Sequence, residues 1–134
     1  MAVEVELLQC TTFGSVFPMT STFGRGLLRL CISDAAKSLL LNHPGFIPHL
    51  LNGLMLDPTH PRKATDEQIK VAVQRDFSEC IQQISLYQPG CTALKANPDV
   101  VDTLDMLLDK AWSEEAKICA HGALKQLCPE RYLP

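Results

Sequence analysis

The stretch Asn97-Pro98-Asp99-Val100-Val101-Asp102-Thr103-Leu104 decides how the chain is organised, because His43-Pro44-Gly45-Phe46-Ile47-Pro48-His49-Leu50 carries the same pattern 54 residues earlier. Pro44 aligns with Pro98, Phe46 with Val100, Ile47 with Val101 and Leu50 with Leu104. Each stretch opens an apolar stripe. One runs through Ile47, Leu50, Leu51, Leu54 and Met55, the other through Val100, Val101, Leu104, Leu107 and Leu108. Steps of three and four residues put each set on one side of a helix. Asn97-Pro98-Asp99 adds start signals: a capping amide, a proline whose missing N–H is not needed there, and an acid near the positive end of the helix dipole.

Two longer stripes extend the comparison. Ile69, Val73, Phe77, Cys80, Ile81 and Ile84 form the first; Ala116, Cys119, Ala120, Ala123, Leu124 and Leu127 form the second. Phe77, Cys80, Ile81 and Ile84 fall on Ala120, Ala123, Leu124 and Leu127 at an offset of 43. The shorter offset implies an insertion of 11 residues between Asp57 and Gln68, where Pro58 and Pro61 forbid a continuous helix. Thr65-Asp66-Glu67-Gln68 reads as a capping box for the first long helix. Ser113-Glu114-Glu115 opens the second, and Pro129 ends it. A further step back of 54 residues brings Phe77, Ile81 and Ile84 onto Phe23, Leu27 and Leu30, so Met19 to Cys31 is expected as an earlier long helix. Ala2 to Gln9 is then expected to be helical, although Val3, Val5 and Leu7 alternate with Glu4 and Glu6 as a strand would.

A unit of about 42 residues, split into a short, a middle and a long helix, resembles the armadillo family. The last copy carries the likeness best: Pro89-Gly90-Cys91-Thr92-Ala93-Leu94, then Asn97 to Asp109, then Ser113 to Cys128. HEAT repeats share the length and the apolar spacing, and a plain helical bundle shares the spacing. The resemblance implies an all-α fold, a short right-handed armadillo-like α-solenoid of about two and two-thirds repeats. The single domain would divide into a partial repeat (1–32), a repeat with an inserted loop at 57–68 (33–86), a second repeat (87–128) and a tail (129–134).

In armadillo arrays the long helices line a groove that holds an extended partner segment. Peptide-binding members place an asparagine near the end of each long helix and a tryptophan one turn earlier. The positions here that match the asparagine are Arg29, Gln83 and Gln126; those that match the tryptophan are Arg25, Glu79 and Gly122. Ser21, Arg75 and Ile118 lie a further turn back. The sequence thus departs from the peptide-groove pattern at each step, which speaks against importin-like capture of basic peptides. The expected groove consists of Arg25, Arg29, Arg75, Glu79, Gln83 and Gln126. Glutamine offers a donor and an acceptor to a partner backbone, and arginine suits carboxylates. The expected partner is therefore a protein or peptide segment of acidic or mixed charge. His60, Arg62 and Lys63, in the inserted loop, are a second expected contact.

The implied function is a non-enzymatic protein–protein interaction module. Two alternatives stand beside it: an assembly element that homo-oligomerises through an uncapped N-terminal end, and a HEAT-like scaffold fragment. Composition agrees with this class. The 134 residues are 46% hydrophobic and 20% charged, as in a packed domain. A net charge of −3 lacks the basic excess that binding to nucleic acid requires. No apolar run approaches the ~20 residues of a membrane helix. The first residues carry no basic n-region of a signal peptide. Cys10, Cys31, Cys80, Cys91, Cys119 and Cys128 include no CxxC pair, and read as reduced thiols of a cytoplasmic or nuclear chain.

No cofactor or metal is expected. His43, His49 and His60 lack partners at ligand spacing, and Asp99, Asp102, Asp105 and Asp109 read as a solvated helix face. Gly24 and Gly26 lack the spacing of a phosphate loop. Cys119 and His121, two residues apart, point to different sides of a helix and cannot form a thiol–imidazole pair. Trp112 is expected at a helix junction.

Overall fold

In a computed structural model of the protein, residues 26–57 and 67–132 are described, and every regular element among them is helical. Residues 26–30 form α1. There follow α2 (Asp34–Leu41), α3 (Phe46–Asn52), α4 (Glu67–Leu86), α5 (Gln88–Ala96), α6 (Asp99–Lys110), α7 (Glu114–Leu127) and a 3-10 turn at Pro129–Tyr132. The expected helix Ala2 to Gln9, most of Met19 to Cys31, and the Thr65-Asp66 start of the capping box lie outside the described residues.

Local chemistry sets the boundaries. The Ser113 hydroxyl accepts from the Ala116 N–H at 3.2 Å, and Asn97 Oδ1 accepts from the Asp99 N–H at 2.9 Å. Both side chains satisfy donors that an opening helix leaves without partners. Ser33 does the same for Ala36 at the start of α2. The end of α3 differs from the sequence expectation. Leu54 and Met55 continue its apolar stripe and are buried, yet the helix stops at Asn52. Gly53 passes beneath the Phe77 ring, where an added Cβ would lie 2.5 Å from Cδ1. Met55 then takes a left-handed φ of 56°. Tertiary contact, not periodicity, ends this helix.

The helices fall into two triplets, α2–α3–α4 and α5–α6–α7, each with its long helix last. The main seam joins α4 to α7, while α6 packs on α7 and α2 on α5. Gln74, early in α4, bonds the backbone of Trp112 just before α7, and Gln82, two turns later, lies against Gly122. The two long helices therefore run side by side in the same direction. Phe77, Cys80, Ile81 and Ile84 of α4 and Ala116, Ala120, Ala123 and Leu124 of α7 are all buried in the core. Alanines opposite bulky residues let the axes approach closely.

Gln74 fixes the chain just after the middle helix of each triplet. Its side chain is fully buried; Nε2 donates to the Leu54 carbonyl at 2.8 Å and Oε1 accepts from the Trp112 N–H at 2.9 Å. One amide thus satisfies two loop backbones that would otherwise be unpaired. Trp112 does sit at a helix junction, with the Lys70 ammonium 5.0 Å from its ring centroid.

Candidate functional site

The outer row of α4 carries Arg75, Glu79 and Gln83 at four-residue steps, each half-buried. The neighbouring row of α7 carries Ile118 and Gln126, both exposed. Ile118 is 65% exposed. Glu79 links the rows: its carboxylate and that of Glu115 act on the Cys119 thiol between them. Burial first, then these two charges, push that thiol up to about 11. Cys119 is therefore protonated at neutral pH and a poor nucleophile.

Arg75 is partly engaged, since its Nε and a terminal nitrogen both lie 3.4 Å from Oδ1 of the buried Asp76. Gln126 keeps its side chain in solvent while its carbonyl accepts from Cys91 Sγ at 3.5 Å. Arg29, on α1, is exposed. The structure thus gathers Arg75, Glu79 and Gln83 in one row and sets Gln126 on the adjacent helix. Arg25, His60, Arg62 and Lys63 lie outside the described residues.

The described cysteines, Cys31, Cys80, Cys91, Cys119 and Cys128, are free thiols. Cys80 is fully buried and hydrogen-bonded to Cys31, and burial holds its thiol protonated. His121 stacks edge-on against Tyr132 at 5.0 Å, while Cys119 is buried in the α4/α7 seam. The α6 aspartates are solvated, except that Asp105 pairs with Arg131 at 3.0 Å.

A second feature was not legible as a site in the sequence. Where α4 and α7 pack tightly, α3 and α6 are parted by a cleft of about 590 Å³. Among the described residues, α3 has 7 residues against 12 in α6, and the chain after Gly53 does not cover this flank of α6. The available signal was Met106, an apolar residue off the α6 core stripe and 41% exposed.

Among the described residues, no group of three or more His, Cys, Asp or Glu could hold a metal ion, and no helix is long and apolar enough to cross a membrane. The chain matches no protein-family model, no curated protein and no solved structure.

Proposed function

We propose that the chain is a non-enzymatic interaction module of armadillo-like architecture that holds a partner segment along the α4/α7 face. The observation that carries this reading is the pair of parallel long helices presenting Arg75, Glu79 and Gln83 beside the exposed Ile118 and Gln126. An exposed aliphatic side chain among donors and acceptors of both signs is suited to a partner with an apolar anchor and mixed charge. Two successive triplets, each ending in its longest helix, support the armadillo-like arrangement, in which stability comes from neighbouring units. Site-specific photo-crosslinking provides the test. A benzophenone side chain at position 118 or 83 should capture a partner that the same probe at exposed position 109 does not. Equal capture at all three positions would remove the face as the site.

A second reading, assembly with other copies, is favoured by Ile32 and Leu39, which are 66% and 54% exposed near the N-terminal triplet. Sedimentation decides it. A concentration-dependent dimer should revert to monomer in Ile32→Asp with Leu39→Asp, whereas a wild-type monomer at high concentration would exclude this reading.

A further inference from the structure

The cleft between α3 and α6 has two helical walls. On α6 it is lined by Asp99, Asp102, Thr103 and Met106, the single stripe that steps of three and four residues produce. On the other side Pro48, Leu51 and Asn52 form the α3 wall, extended by Leu56 and Asp57. Leu51 and Leu56 are half-buried and Met106 is open, so the base is aliphatic. The charges that α6 brings to the cleft are of one sign, Asp99 and Asp102, and no Lys, Arg or His lines it among the described residues.

Asp99 and Asp102 occupy the first turn of α6, where acids favour helix formation. Helix formation does not account for Met106 two turns on, nor for an aliphatic base beside these two carboxylates. From this charge and shape complementarity we infer that the cleft binds a cationic segment of a partner protein, one carrying an aliphatic residue between basic ones. A nucleic acid or an acidic segment would be repelled by the same carboxylates. The lined stretch of α6, Asp99 to Met106, spans about 10 Å at 1.5 Å per residue, which matches about three residues of extended chain. The aliphatic residue would sit on Leu51, Leu56 and Met106. Flanking Lys or Arg would lay their methylene stems on the same surface and bring their charges to Asp99 and Asp102. This site is separate from the α4/α7 face and does not depend on it.

The test is fluorescence anisotropy of the full chain with a fluorescein-labelled hexapeptide, Arg-Lys-Leu-Leu-Lys-Arg. Saturable binding is expected, weakened about tenfold or more in Asp99→Asn with Asp102→Asn and again in Met106→Ser. A peptide with serines for its leucines should bind similarly weakly. Asp109→Asn, exposed on α6 but outside the cleft, should bind as wild type. No saturable binding, equal binding by the cleft variants, or an equal loss in Asp109→Asn would each overturn the proposal. The α4/α7 reading is tested separately by its own crosslinks, so either can fail alone.

Discussion

Gln74 shows how much can depend on one buried amide. Truncation to alanine leaves the Leu54 carbonyl and the Trp112 N–H without partners, each costing about 1–3 kcal/mol where water cannot reach. Urea unfolding of Gln74→Ala should show an unfolding free energy lowered by several kcal/mol, and Gln74→Glu should not rescue it, because the donor to Leu54 is gone. Gly90 is a second such position. An added Cβ would run into the Ile84 carbonyl, which belongs to backbone and cannot swing aside. Gly90→Ala should therefore destabilise by about 1–3 kcal/mol despite the usual benefit of alanine in a helix. At His49, burial and the neighbouring His43 depress the folded pKa below its ordinary 6.5. The unfolded chain then binds more protons at mildly acidic pH, so stability falls as pH drops from 6.5 toward the lowered value. His49→Gln should flatten the denaturation midpoint between about pH 7 and about pH 5.

At the scale of elements, the α4/α7 seam depends on size complementarity. Phe77, Ile81 and Ile84 face a helix whose buried residues include Ala116, Ala120 and Ala123. Ala120→Leu would force extra methylenes between axes already in contact, and thermal unfolding should show a loss of about 1–3 kcal/mol. This seam was legible in the sequence because it rests on repeated three- and four-residue spacing across two long stripes. The cap at Ser113 was legible too; Asn97 does accept from the Asp99 N–H, but the helix opens one residue later than expected, with Pro98 at the capping position. The end of α3 was not, since Leu54 and Met55 keep the helical period and only the Phe77 ring over Gly53 shows why the chain departs. The α3/α6 cleft was missed for the same reason: a space between elements is fixed by where one of them stops. Arg75, Glu79 and Gln83 were chosen as the positions that the armadillo resemblance implies, whereas the exposure of Ile118 beside them needed coordinates.

For the whole molecule, the question is whether the two triplets unfold separately or as one. Each has its own middle helix, α3 or α6, but the largest interface runs between triplets, from α4 to α7. Phe77 belongs to both, since its ring covers Gly53 in the first triplet and its helix forms the seam with the second. Phe77→Ala removes a fully buried aromatic and should cost about 3–5 kcal/mol. Because the α4/α7 seam joins the two triplets, that loss should spread across the interface. Hydrogen exchange should then show reduced protection in α7 as well as in α2, α3 and α4, although α7 itself is unchanged in sequence. If α6 and α7 kept wild-type protection while the first triplet lost it, the triplets would be independent units, and a continuous α4/α7 face could not serve as one binding surface.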